Sequence, residues 1–200
     1  MDKIKLNIQD ILQKYDPENK LETYYQVLKE ENEKLNLVSR ETIESKLPQL
    51  VAESLLPFEK INLKDFQNYT DIGSGGGLPS IPILMTQQIK DSYLIERIGK
   101  KADSLERMKT SLNLDKTTIL KQQLEECKFN QKFELITMRL VKLNNRLLTK
   151  ISKILSKNSI FIYYHKPEFQ ISDKSLSVVT YSYSTGPESV DKYFSLITKL

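Results

Sequence analysis

Four of the six glycines in this 200-residue chain fall within five consecutive positions, Gly73-Ser74-Gly75-Gly76-Gly77. Just before them, Tyr69-Thr70-Asp71-Ile72 has the aromatic and β-branched character of a strand. Just after them, Leu78 to Ile89 reads as a helix. Strand, glycine loop and helix together constrain the fold more than any other feature of the chain. Glycines let the backbone turn sharply and let a ligand approach its N–H groups. Two common loops are excluded. The dinucleotide pattern G-x-G-x-x-G needs glycine at position 78, where Leu78 stands, and no G-K-[ST] follows for a Walker loop.

The rest of the chain extends this unit. Ser92 to Glu96 reads as a strand, Gly99 to Leu112 as a helix, and Thr117 to Leu120 as a third strand. Phe133 to Thr137, the helical Leu143 to Leu155, and the strand Ser159 to Tyr164 follow. Strands alternating with helices predict an α/β fold with a mostly parallel, doubly wound sheet. The tail differs. Leu176 to Tyr183 and Tyr193 to Thr198 are strands with no helix between them; they flank Gly186-Pro187 and predict an antiparallel addition at the sheet edge. Upstream of the glycine loop the pattern is helical. A short helix covers Leu6 to Leu12, a second starts at Asp16-Pro17 and runs to Leu35, and a third runs through Leu47 to Leu56 with Pro48 near its first turn. The expected organisation is a helical extension over residues 1–68, packed on a core domain over 69–200.

Composition limits the chemistry. One cysteine, Cys127, and one histidine, His165, leave no disulfide, no Cys-rich metal site and no His cluster, so no metal is expected. The longest apolar stretch, Leu78 to Met85, is broken by Pro79, Ser80 and Pro82, too short to cross a bilayer. Met1-Asp2-Lys3-Ile4 opens without an apolar region, which predicts a cytoplasmic protein. Net charge is +4, split as −3 over residues 1–68 (10 basic, 13 acidic) and +7 over residues 69–200 (20 basic, 13 acidic). A basic second half is compatible with a polyanionic partner.

Glu96 closes the second core strand, 23 residues after Gly73. A carboxylate there is placed to accept hydrogen bonds from ribose hydroxyls. Loop and acid in register within one βαβ unit predict a cofactor site at the carboxyl ends of the strands.

Asp71-Ile72-Gly73-Ser74-Gly75-Gly76-Gly77-Leu78-Pro79-Ser80-Ile81-Pro82 resembles the first motif of the RsmG (GidB) family, above all in its L-P-x-I-P continuation. Asn36-Leu37-Val38-Ser39, Glu53-Ser54-Leu55, Ile98-Gly99-Lys100-Lys101, Leu124-Glu125-Glu126, Met138-Arg139 and His165-Lys166-Pro167 resemble later family segments in order. Departures fall mainly on the substrate side: Leu50, Met138, Leu140-Val141 and Pro167 replace the usual residues. Ser80 and Glu96 replace a glycine and an aspartate. The resemblance implies a Rossmann-like class I methyltransferase fold. It also implies an S-adenosylmethionine-dependent enzyme that methylates N7 of a guanine in 16S ribosomal RNA, acting as a monomer on RNA or on the small ribosomal subunit. Two alternatives stay open: the same fold with another substrate, or a degenerate member that binds cofactor or RNA without turnover.

The resemblance also assigns roles. Gly73 and Gly75 let the backbone approach the methionine part of the cofactor, and Asp71 holds the loop or the cofactor's ammonium through water. Leu78 packs at the loop exit, Glu96 takes the ribose hydroxyls, and Leu124 and Glu125 border the adenine. Arg139, at the end of the fourth core strand, faces cofactor and RNA and positions the base. It is expected to matter for turnover, with little effect on melting temperature. Lys166 is a candidate for RNA phosphate. Lys100 and Lys101, with Arg107 and Lys109, form either a phosphate-contacting face or a solvated helix face. No general base is required.

Overall fold

The computed structural model describes residues 3–61, 65–167, 169–171, 173–186 and 189–200. Eight strands form one sheet: β1 (Lys3–Lys5), β2 (Asp65–Ile72), β3 (Gln88–Ile95), β4 (Thr117–Leu120), β5 (Phe133–Arg139), β6 (Leu155–His165), β7 (Leu176–Ser184) and β8 (Lys192–Lys199). Six α-helices accompany them: α1 (Ile8–Tyr15), α2 (Leu21–Lys34), α3 (Leu47–Leu55), α4 (Ser80–Thr86), α5 (Gly99–Ser111) and α6 (Asn145–Ile154). Among the described residues no helix is long and apolar enough to cross a membrane.

The spatial order is β1-β7-β8-β6-β5-β2-β3-β4. Neighbours pair in parallel except at β8, which runs antiparallel to both β6 and β7. The expected mixed, mostly parallel α/β sheet is therefore present. The winding reverses between β2 and β5, and in such sheets the crevice beyond the strands' carboxyl ends at that point is where ligands bind.

Alternation along the strands divides the core between two faces. In β5, Leu135 packs on one side and Ile136 and Met138 on the other; Phe133 joins the second cluster across an irregularity in the register between Phe133 and Leu135. The first face is covered by α1 to α5, through Tyr24, Leu28, Val51, Leu55, Ile81 and Leu105 among others. The second is covered by α6, through Leu147, Leu148, Ile151 and Ile154.

Several boundaries moved. The strand before the glycine loop begins at Asp65, because Phe66 as well as Tyr69 is buried. The helix after the loop is seven residues long instead of running to Ile89: Gln88 already pairs with Asp65, and Ile89 with Phe66. The two tail strands do add at the β6 edge, but the later one, β8, lies inside, and β7 is itself covered by β1, a strand the sequence reading lacked. Gly186 is described; Pro187, Met1 and Asp2 lie outside the described residues. Asp16 caps α2 from a distance: its two carboxylate oxygens accept from the N–H groups of Lys20 and Leu21 at 2.8 and 2.9 Å.

Candidate functional site

The glycine loop needs glycine at three positions. Gly73, Gly75 and Gly77 have φ of 78°, 54° and 84°, in the left-handed region that side chains rarely adopt. A methyl group on Gly73 would also come within 2.5 Å of Val141 Cγ2. The loop is fixed from three directions. The N–H groups of Gly73 and Ser74 both donate to the Ile95 carbonyl, at 2.8 and 3.1 Å, and the Gly77 N–H donates to the Ser74 carbonyl at 2.7 Å. Glu96, nearly fully buried, takes the Gly75 N–H on Oε2 at 2.9 Å and the Ile98 N–H on Oε1 at 2.8 Å. From the helical extension, the buried Tyr24 hydroxyl donates to the Gly76 carbonyl at 2.9 Å.

These bonds alter the expected role of the loop. Its amides at Gly73, Ser74, Gly75 and Gly77 are already spent inside the protein. What the glycines supply is close approach of bare backbone, with carboxylates nearby. That suits a cationic ligand group better than a pyrophosphate, which needs free N–H donors.

Asp71 lies beneath the loop rather than in the cleft wall. Its Oδ1 accepts from Thr137 Oγ1 at 2.5 Å, and Thr137 in turn shares a 2.7 Å bond with the Tyr69 hydroxyl. Its Oδ2 has no partner, nor does the buried Ser80 hydroxyl. Burial pushes the Asp71 carboxyl up to about 6, against the pull of the Thr137 hydroxyl.

Beyond the loop a cleft of about 930 Å³ opens at the carboxyl ends of β2, β3 and β5. This is at the upper end of the range of about 300–1,000 Å³ for small-molecule sites. Of the residues expected from sequence, Gly73, Gly75, Leu78, Glu96, Leu124, Glu125, Arg139 and Lys101 line it. Lys100 and Lys166 are exposed and outside its lining. Sequence reading missed the wall made by Leu37, Val38, Ser39 and Thr42, and the Gln122-Gln123 pair beside Leu124. The signal for the first was present, since Asn36 to Ser39 is one of the segments that carry the family resemblance. Nothing in its composition says it faces a ligand.

Arg139 lines the cleft, as expected of a residue facing the cofactor, but its guanidinium is held by protein groups. Its Nη2 pairs with Glu53 at 2.8 Å, and its Nη1 reaches the Leu50 carbonyl at 3.3 Å and Ser54 Oγ at 3.4 Å. The guanidinium lies 5.7 Å from the Tyr164 ring centre, and the side chain is only 12% exposed. Glu53 has no exposure and also takes Lys192 Nζ at 2.5 Å. Leu140, the next residue, has φ of 58° and is 93% exposed on the cleft rim. The helix-face lysines and arginine also resolve. Arg107 forks onto the buried Glu31, with N···O distances of 2.6 to 3.0 Å, and is committed there, while Lys109 has only a loose contact with Glu106 at 3.8 Å. Among the described residues no group of three or more His, Cys, Asp or Glu is placed to hold a metal.

The residues present fit S-adenosylmethionine. The cleft has the volume, and the loop's spent amides beside the Glu96 carboxylate suit its cationic end.

Known proteins place this arrangement. Among solved structures, the fold matches an O-methyltransferase from Bacillus cereus in complex with SAH at a TM-score of 0.69, with 16% identity and 96% of each chain covered. It also matches an rRNA methylase from Streptococcus thermophilus at 0.57, with 12% identity, covering 69% of this chain and 89% of that one. Those likenesses establish the Rossmann-like methyltransferase fold. In sequence, the chain is 33% identical over 144 residues to the ribosomal RNA small subunit methyltransferase G of Helicobacter pylori J99, covering 72% of this chain and 79% of that protein. It is 31% identical over 166 residues to the protein of that name from Mycoplasma capricolum, covering 82% and 71%. The family model described as rRNA small subunit methyltransferase G matches residues 17–185, from the second helix to the end of β7, and the chain therefore belongs to the GidB family.

Proposed function

We propose that this protein methylates N7 of a guanine in 16S ribosomal RNA, working in the cytoplasm as a monomer on RNA or on the small subunit. It is an S-adenosylmethionine-dependent rRNA methyltransferase. The observation that carries the cofactor reading is the glycine loop with its amides spent and its carboxylates adjacent.

When bound, S-adenosylmethionine supplies an electrophilic methyl group on a sulfonium. This chain's residues supply position and charge. Glu96 retains acceptor capacity beyond its two backbone bonds, since a carboxylate offers about four lone-pair sites; it takes the ribose hydroxyls. Leu78, Leu124 and Glu125 border the rest of the cofactor. Arg139, immobilised by Glu53, acts as a positioning residue, a fixed positive edge beside the incoming base. Lys101 at the cleft and Lys100 and Lys166 outside it contact RNA phosphate.

Guanine N7 carries an in-plane lone pair and loses no proton before attack, so the site needs alignment rather than a base. The neighbourhood of the one histidine agrees with this. His165 has Nδ1 2.6 Å from the Lys166 carbonyl and Nε2 2.8 Å from Ser195 Oγ, and it lies outside the cleft lining.

The test is methyl transfer from labelled S-adenosylmethionine to 16S RNA and to small subunits, with the product mapped by mass. One methyl on a guanine, labile as a 7-methylguanine should be, is the expected result. Label appearing on another base, or only on small molecules, would refute the assignment.

A further inference from the structure

We propose that α6 carries a phosphate-binding track that leads ribosomal RNA from the cofactor cleft to a second, lysine-lined cleft at the opposite end of the sheet. The proposal rests on the RNA-methyltransferase reading and names the surface that reading leaves open.

Between Glu134 and Glu168 the chain has seven Lys and Arg residues and no Asp or Glu. Five of them, Lys142, Arg146, Lys150, Lys153 and Lys157, are spaced 4, 4, 3 and 4 apart. On a helix that spacing puts Arg146, Lys150 and Lys153 along one face. α6 spans Asn145–Ile154, so those three stand on it, with Lys142 in the loop before it and Lys157 at the start of β6 after it. The opposite face, Leu147, Leu148, Ile151 and Ile154, is buried against the sheet.

The stripe joins two concavities. At the start of α6, Lys142, Asn144 and Leu147 line the cofactor cleft. At its end, Lys150, Lys153 and Ile154 line a second cleft of about 460 Å³, whose other wall includes Lys128 and Lys132. A ten-residue helix covers about 15 Å between them. Among the described residues, neither the five cations of the stripe nor Lys128 and Lys132 form an ion pair. The nearest carboxylates in sequence are occupied or turned elsewhere. Glu126 takes the Gln123 N–H, Glu134 takes the Gln67 N–H, and Glu125 lines the cofactor cleft.

Lys150 donates to the Cys127 carbonyl at 2.8 Å and Lys153 stands in the last turn of α6, but no carboxylate offsets the mutual repulsion of the row, and a polyanion relieves it. The spacing fits a nucleic-acid backbone better than a lipid surface. An interfacial helix needs an apolar face turned outward, whereas every large apolar side chain of α6 is buried inward.

The experiment uses the full chain and compares two triple variants of equal charge. One is Lys150→Gln, Lys153→Gln, Lys157→Gln on the track. The other is Lys29→Gln, Lys90→Gln, Lys116→Gln, on exposed lysines elsewhere. Binding to purified 16S RNA and small subunits is measured across salt concentrations, with S-adenosylmethionine affinity by calorimetry as the control for an intact cleft. The track variant is expected to lose about tenfold in RNA affinity and about two to three in the slope of log affinity against log salt. The control variant should lose much less, and cofactor affinity should be unchanged in both. Equal losses in the two variants, with wild-type methyl transfer intact, would overturn the track and leave the methyltransferase reading standing. Wild-type protein that binds and methylates no RNA would overturn both. Tight binding to vesicles of phosphatidylserine and phosphatidylcholine, lost in the track variant while RNA binding persists, would overturn the RNA assignment of this surface.

Discussion

Glu53 is a carboxylate without solvent exposure, and two cations from distant parts of the chain, Arg139 and Lys192, converge on it. Removing one partner of such a group leaves charge uncompensated in a poor solvent for it. Arg139→Ala is therefore expected to destabilise the protein by about 2–4 kcal/mol, Lys192 remaining as partial compensation. Arg139→Lys keeps charge but loses the fork to Leu50 and Ser54, so thermal unfolding should show a lower melting temperature there too. An unchanged melting temperature in both variants would remove Glu53 as the reason this arginine is present. Asp71 gives a prediction with pH. Its carboxyl is raised to about 6 from the ordinary aspartate value of about 4. An acid raised on folding favours the folded state fully below the lower value and loses that contribution as pH climbs through the higher one. About two units correspond to about 3 kcal/mol lost between about pH 4 and pH 6. Asp71→Asn keeps an acceptor for Thr137 and removes the titration. It should be more stable than wild type above pH 6, by about 1–3 kcal/mol, and level with it near pH 4. Parallel stability curves across that range would show that the buried charge is already compensated.

At the scale of elements, the connection between β2 and α4 is held by β3 as much as by its own glycines. Glu96 ties Gly75 to Ile98, so Glu96→Ala should weaken S-adenosylmethionine binding by about 1–3 kcal/mol and lower the melting temperature as well. Calorimetry beside thermal unfolding checks this; loss of binding with full stability would mean the carboxylate serves the ligand alone. This double role was invisible in the sequence, where Glu96 is simply an acid at a strand end. The strands themselves were legible because β4 and β5 are runs of apolar and β-branched residues bounded by polar ones. The end of α4 was not. Ile89 continues the helical spacing of Met85, and only pairing with Phe66 across the sheet shows that it belongs to β3. β1, with three residues, is too short to have a period at all. Glu53 and Arg139 each stood in a recognisable segment, but their pairing spans 86 residues, and no local pattern reports a contact of that range.

Across the whole molecule, the expected division at residue 68 falls inside β2 and does not separate two cores. Leu21, Tyr24, Leu28, Val51 and Leu55 from the first part share a single cluster with Leu94, Leu135, Ile162 and Phe194 from the second. A fragment of residues 69–200 would lose that cover, the first half of β2, and the Tyr24 bond to the glycine loop. It is expected to unfold without a cooperative transition and to bind no S-adenosylmethionine; a fragment that melts sharply and binds would show that the extension is dispensable. The sheet order carries a further consequence, about time. β8 lies between β6 and β7, and β1 pairs only with β7 among the described strands. β7 cannot join the sheet until β8, later in the chain, is in place, and β1 must wait for both. The first of these eight strands in the chain is thus expected to be the last to join the sheet. Such long-range pairing is slow because loop closure precedes any reward. Pulse-labelled hydrogen exchange during refolding should protect the amides joining β1 and β7 after those joining β2, β3 and β5; early protection at β1 would mean that this edge assembles by another route.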